Sequence, residues 1–508
     1  RCVQTVARGW GDCKDKATAL VALLREAGIE SFVALLNTGP GNDTDPGLPG
    51  MGRFDHAIVH IPSNPELWID PTDEYARLGE LPDHDQGRLA LVASHGTTAL
   101  IRTPQSVPAQ NVQSEQREVF LAIEGGGRIV ETTTVSGSFE RSYRRTFGRN
   151  TEKENREQLG RYLKNQFQAQ SLGEIHLSDT EDLSIPMSLR IEGKDCAKLW
   201  TAQTAASVPI LSGNLIGSLP DILKPDDSDA RKPEKERKYP VLLQTPYVME
   251  ILYRIHPPPG YAVASVPENG KRFFGPAVMT QEYETSPDSV VTARLRFDTV
   301  KALYSTEEAA AVKSEIGRFY EETMPQAVFH HVGEAHLQAG RIPEALKEFQ
   351  GLVERFPDTA LYRTQVARAY LEAGLGSNAR REARRAVELA PESLVAQRTL
   401  GIILAHDELG RKFMSGFEYQ GAETALRKAR EIDPKDFSAR GELAILLEHD
   451  ADGHRYGPGS RLDEAISEYT FLRSDLKIEN LTTNLMVALL NRSRFAELRE
   501  LWKEATKN

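Results

Sequence analysis

The sequence predicts a multidomain α+β protein of 508 residues in three parts. Residues 1–105 read as a compact α+β core, 106–304 as a β-rich, sandwich-like accessory domain, and 305–508 as an α-helical repeat solenoid. Three observations carry this. Apolar residues at helical spacing are followed by two short strands near the start, β-type alternation fills the middle, and prolines recur 34 residues apart in the last third, at Pro357 and Pro391. A chain of this length is also too long for one hydrophobic core.

The first element is a helix opening close to Cys13. Ala17, Leu20, Val21, Leu24 and Ala27 share one helical face, and Gly28 supplies the residue just past the helix end. Cys13 therefore stands in the first turn, where free N–H groups and the positive end of the helix dipole favour a thiolate. A nucleophilic sulfur also needs a base and an orienting acid. Phe54 to Ile61 reads as a strand with His56, Ile58 and His60 on one face, and Leu67 to Asp70 as its hairpin partner across Pro62-Ser63-Asn64-Pro65. A hairpin centred on Ser63 sets Asp70 opposite His56, within imidazole–carboxylate hydrogen-bonding reach.

Gly-Asp-Cys at a helix start, Phe-Asp-His on a strand and Trp-Ile-Asp-Pro after it resemble the papain/transglutaminase-like core of the transglutaminase-like superfamily, over about residues 1–100. The resemblance implies a Cys nucleophile, a His general base and acid, and an orienting Asp, which map onto Cys13, His56 and Asp70. Trp10, three residues ahead of the nucleophile, is a candidate for polarising the oxyanion with the Cys13 N–H, and packing under the helix is its structural reading. Gln4 is a weaker candidate. Such cores carry more structure ahead of the Cys, so a further N-terminal part is expected before Arg1. The nearest bacterial chains have a β-rich domain there and are often exported, which favours a periplasmic or cell-envelope location.

Thr38 to Arg53, rich in Gly and Pro, reads as a surface loop bordering the cleft, with Asn42, Asp43 and Asp45 as solvated turn residues rather than calcium ligands. Pro71 to Val92 follows Asp70 directly and should form one wall of the site. His60 and His84 lack zinc spacing, so no metal and no cofactor are expected.

In the middle region Val119 to Ile123, Arg128 to Val135, Val241 to Ile255 and Val290 to Phe297 read as strands, interrupted by a helix from Glu152 to Gln168. Residues 225–237 are nearly all charge and proline and predict a mobile exposed loop. Cys196 has no His or acid partner in a recognisable motif and reads as structural.

After a helix over Ser305 to Glu321, Gly333/Ala367, His336/Tyr370, Gly340/Gly374 and Ala345/Ala379 recur at 34 residues. This resembles the tetratricopeptide repeat and implies paired helices presenting a groove to a polypeptide partner. Two further repeats carry matching insertions, 406–416 and 449–459, in which His406-Asp407, Gly410, Phe413 and Gly416 correspond to His449-Asp450, Gly453, Tyr456 and Gly459. Their structural reading is a helix extended by one turn, capped by His-Asp, with the aromatic packed inward.

Composition limits the alternatives. The net charge of −11 and the lack of a basic run argue against nucleic acid as a partner. No apolar stretch approaches the roughly 18 residues of a membrane span, and three cysteines make no disulfide framework. The expected function is cysteine-dependent acyl transfer, as peptidase, amidase or transamidase, with hydrolysis slightly favoured. The alternative is a catalytically silent scaffold that binds proteins through its repeats.

Overall fold

A computed structural model describes residues 5, 7–39, 43–47, 50–225 and 238–505. Gln4, Asn42 and all but the first residue of the expected 225–237 loop lie outside them. The chain forms two compact units, Arg1–Pro258 with Ala262–Phe329, and Pro259–Tyr261 with His330–Asn508.

The first unit opens with helix α1 (Cys13–Glu26). Asp12 caps it, its Oδ1 accepting the Asp15 N–H at 2.9 Å, and Gly28 turns the chain away at φ +78°. A five-stranded antiparallel sheet follows, made of β1 (Phe32–Leu36), β2 (His56–Ile61), β3 (Leu67–Ile69), β4 (Leu89–Val92) and β5 (Ile101–Arg102), in the order β3-β2-β1-β4-β5. α1 buries Ala17 and Val21 against Ala57, Val59 and Ile61 on one face. Ile58, Trp68, Ala34 and Ala90 form a second core on the other. β2 is thus covered on both sides, and its alternation does not separate core from solvent.

The β2–β3 hairpin is centred one residue later than expected. Ile61 pairs with Leu67 and His60 with Trp68, because Glu66 belongs to the turn, its carboxylate 3.4 Å from His60. The ladder carried one residue further puts Asp70 beside Ile58, diagonal to His56 rather than opposite it. Moving the centre by one whole residue preserves parity, so both side chains keep the same face.

The strands of the middle region join one eleven-stranded sheet, a departure from the two packed sheets of a sandwich. Its centre is Met187–Thr201, Gly125–Val135, Val112–Phe120 and Val248–His256, the last two running parallel. Long continuous strands keep the ladder unbroken, and a bulge at Gly126 and Gly127 bends it. A Cβ on Gly127 would stand 2.9 Å from the Phe120 carbonyl oxygen, so only glycine fits there. Two helices follow Gly125–Val135: α2 (Ser138–Arg149), which the apolar pattern does not announce, and α3 (Glu152–Phe167), which buries Leu159, Leu163 and Phe167 as its spacing predicts.

The second unit is an array of helix pairs, from Val332–Gln338 with Ile342–Arg355 to Thr482–Asn491 with Phe495–Ala505. Small residues sit where helices touch: a Cβ on Gly333 would come within 2.5 Å of the Phe349 ring. The insertions do not extend their helices, which stop at Leu404 and Leu447. Each is a bridged turn, His406 with Lys412 and His449 with Arg455. The histidine Nδ1–H donates back to a helix carbonyl, and the aspartate accepts two N–H groups of the turn.

Candidate functional site

α1 brings Cys13, half-exposed, to the start of β2. There His56 Nε2 lies 3.2 Å from Oδ2 of Asp70, just past the end of β3. Asp70 is buried, and its Oδ1 accepts from Thr72 twice, from the N–H at 2.8 Å and the hydroxyl at 2.7 Å. With Nε2 committed to Asp70, Nδ1 is the nitrogen left for the Cys13 thiol, which lies close enough to the ring to act on its proton affinity. The structure therefore brings Cys13, His56 and Asp70 together. Trp10 is not packed beneath α1: it is 69 % exposed, with the Arg8 guanidinium 5.8 Å from its ring centre.

Electrostatics separate these groups. Burial opposes a charge on His56, but the hydrogen bond to Asp70 and the fields of Asp85 and Asp70 prevail and raise it to about 9. Burial likewise opposes ionisation of Asp70, and the bonds from His56 and Thr72 hold it below its ordinary value. Asp70 and Asp85 thus favour the charged form of the ring. Cys196 behaves differently, since burial pushes its thiol up to about 12.

The stretch after Asp70 supplies two residues that sequence reasoning did not place here. A single turn, Asp83–Asp85, carries His84 and Asp85 to the ring. The His84 and His56 rings meet edge to face, 5.8 Å between centroids. His60 lies apart from this group and packs on Trp68 at 4.5 Å. Asp85 is fully buried, and burial with the nearby Asp70 charge pushes it up to about 8.

A cavity of about 270 Å³ opens beside His84, lined by Asp73, Pro82, Asp83, Ser138, Arg141 and Arg145 among others. One wall of this cavity is the stretch after Asp70, and the other is α2. Ion pairs hold them together: Arg141 to Asp83 at 2.5 Å, Arg145 to Asp73 at 3.2 Å and Arg77 to Glu140 at 2.7 Å.

No family model matches the sequence, and no curated protein matches it. Among solved structures, the chain is similar to MamA at 17 % identity and a TM-score of 0.28, over 35 % of this chain and 93 % of that one. It is similar to TTC0263, a thermophilic TPR protein of Thermus thermophilus, at 18 % identity and a TM-score of 0.26, over 35 % and 87 %. A candidate protease from Parabacteroides distasonis ATCC 8503 is similar at 16 % identity and a TM-score of 0.35, over 65 % of this chain and 46 % of that one.

Proposed function

We propose that the first unit is a cysteine-dependent acyl transferase of the transglutaminase-like kind, and that the helix pairs of the second unit bind polypeptide. The observation that carries the catalytic half is the His56 ring, held by buried Asp70 through Nε2 and left with Nδ1 for Cys13 at a helix start. The Cys13 thiolate attacks a peptide or carboxamide carbonyl, and the Cys13 N–H in the first turn of α1 faces the developing oxyanion. Trp10, exposed three residues earlier, can meet the substrate there rather than the core. His56 gives its proton to the departing amine, leaving a thioester on Cys13. It then takes a proton from water, for hydrolysis, or from an amine, for transamidation, as that nucleophile releases the acyl group.

The test is an electrophilic thiol probe on the full chain, with Cys13→Ala as control. Rapid labelling below pH 8 that vanishes in the variant supports the reading. Labelling that persists at Cys2 or Cys196 overturns it, and an unreactive Cys13 leaves the chain as a binding scaffold.

A further inference from the structure

Four side-chain atoms converge beside the candidate nucleophile. His56 Nε2 is 3.2 Å from Asp70 Oδ2 and 3.9 Å from Asp85 Oδ1. His84 Nε2 is 4.0 Å from that same Asp70 oxygen and 3.6 Å from that same Asp85 oxygen. All four atoms lie within 4.8 Å of one another. A tetrahedral zinc ion with ligands at about 2.0–2.1 Å has edges of roughly 3.3 Å between ligand atoms, so the His56–Asp70 edge already fits and the other side chains must draw in toward the ion.

Asp85 independently points to a ligand. Its side chain is fully buried, and neither carboxylate oxygen has a hydrogen-bond partner among the described residues. A buried carboxylate without donors is costly to keep, and Oδ1 faces two imidazole nitrogens. A cation there supplies the missing partner. Two carboxylates neutralise a dication, and two imidazoles with two carboxylate oxygens suit zinc better than calcium or magnesium, which take six or more oxygens. Thr72 orients the Asp70 carboxylate from outside the four ligands, its N–H and hydroxyl donating to Oδ1 and the hydroxyl also lying 2.9 Å from Oδ2. His84 is half-exposed and gives the ion a way in.

We propose that His56, Asp70, His84 and Asp85 form a tetrahedral site for a zinc-class divalent cation, and that filling it suspends the chemistry of Cys13. The binding half stands on the four ligands; the inhibitory half rests on the acyl-transfer reading above. The cation takes the Nε2 lone pair of His56 and a carboxylate oxygen of Asp85, and the proton held on each leaves to solvent. The ring is then neutral with its remaining proton on Nδ1, so the positive charge that would hold Cys13 as a thiolate is lost and no ring nitrogen is left to take the thiol proton. Removing the cation restores the bond to Asp70.

The experiment uses the full chain stripped with a chelator. Zinc is titrated against a chromogenic chelator, with magnesium in parallel, and thiol-probe labelling of Cys13 is timed with and without zinc. One equivalent of zinc should bind to wild type and to Cys13→Ala alike. Affinity should fall at least tenfold in both His84→Gln and Asp85→Asn, and magnesium should not compete. Zinc should slow labelling at least tenfold and EDTA should reverse this, with the ratio of the two rates falling to about one in His84→Gln. No zinc uptake at micromolar concentration, or uptake unchanged in both variants, overturns the site. Loss of binding in Cys13→Ala puts the thiol among the ligands and overturns the four-residue assignment. Stoichiometric zinc without slower labelling overturns the gate and leaves the site. A stripped chain that never labels at Cys13 removes the acyl-transfer reading and the gate together, and the titration still decides the site.

Discussion

Arg77, on the stretch that follows Asp70, grips Glu140 of α2 with two nitrogens, Nη2 to Oε1 at 2.7 Å and Nε to Oε2 at 3.2 Å. Glu140 also accepts from Arg144, which is fully buried and donates further to the Asp179, Thr180 and Ile185 carbonyls. The β-rich region thus anchors the wall of the candidate site. Removing the carboxylate strands a buried guanidinium, a change that costs about 3–5 kcal/mol in comparable pairs. Glu140→Ala should lower unfolding stability by roughly that amount in urea titrations, and residues 1–105 expressed alone should lose the His84 wall. A Glu140→Ala chain as stable as wild type would show that the Arg144 carbonyl bonds suffice.

Asp70→Asn should act on reactivity and spare the fold. An asparagine keeps an oxygen for the two Thr72 donors, but it cannot fix the tautomer of His56 or support the imidazolium. In related constellations the corresponding change costs about 10⁴ in rate. We expect Cys13 labelling to slow by about 10²–10⁴ with thermal stability nearly unchanged. The basic limb of the rate profile, set by a ring raised to about 9, should move toward neutrality as the Asp70 charge is lost. An unshifted limb would mean that Asp85, not Asp70, dominates the field at the ring.

Much of this site is legible in the sequence because its parts are local. Asp12 before an apolar stripe announces the start of α1, and the two strands around Pro62–Pro65 announce the hairpin. Even a centre misplaced by one residue leaves His56 and Asp70 on one face, since a side chain's face depends only on parity. His84 and Asp85 are not legible, for they reach His56 through one short turn with no periodicity to mark it. α2 is hidden for another reason: it buries Glu140, Arg141 and Arg144, and an apolar pattern cannot show a helix whose inward face is charged. Arg117 deceives in the same way. Fully buried in the large sheet, it pairs with Glu115 at 2.6 Å and Glu131 at 2.8 Å, where alternation would place a core residue.

His331 gives the second unit a pH dependence. The side chain is 1 % exposed, between the Tyr261 and Phe349 rings. Burial, with the Arg368 charge nearby, lowers it to about 4. Its folded value lies below its unfolded value, so the unfolded chain binds more protons between about pH 4 and 6.5. Stability is therefore full above pH 6.5 and is lost as pH falls through that window, by up to about 3 kcal/mol. Melting followed at helical wavelengths should show the loss between pH 7 and pH 4. The loss should shrink in His331→Gln, whose amide does not titrate, and an equal loss in that variant would move the effect to another group.

The two insertions offer a matched pair of substitutions. Phe413 lies flat against His449 of the next insertion, ring centres 3.8 Å apart and planes 21° from parallel, and meets Phe417 edge to face at 5.9 Å. Stacking of one insertion on the next thus passes through this ring. Tyr456 is the corresponding residue, and its backbone is left-handed as well, φ +60° against +55° for Phe413. Its buried hydroxyl, however, has no hydrogen-bond partner among the described residues. Phe413→Ala should cost about 2–4 kcal/mol, somewhat below a fully buried phenylalanine because the ring is half-covered. Tyr456→Phe removes only an unsatisfied oxygen and should be neutral or stabilise by up to about 1 kcal/mol. Denaturant unfolding of the two variants beside wild type separates them. A destabilising Tyr456→Phe would show that the hydroxyl has a partner after all, and a silent Phe413→Ala would show that the insertions hold their shape through the His and Asp turn bonds alone.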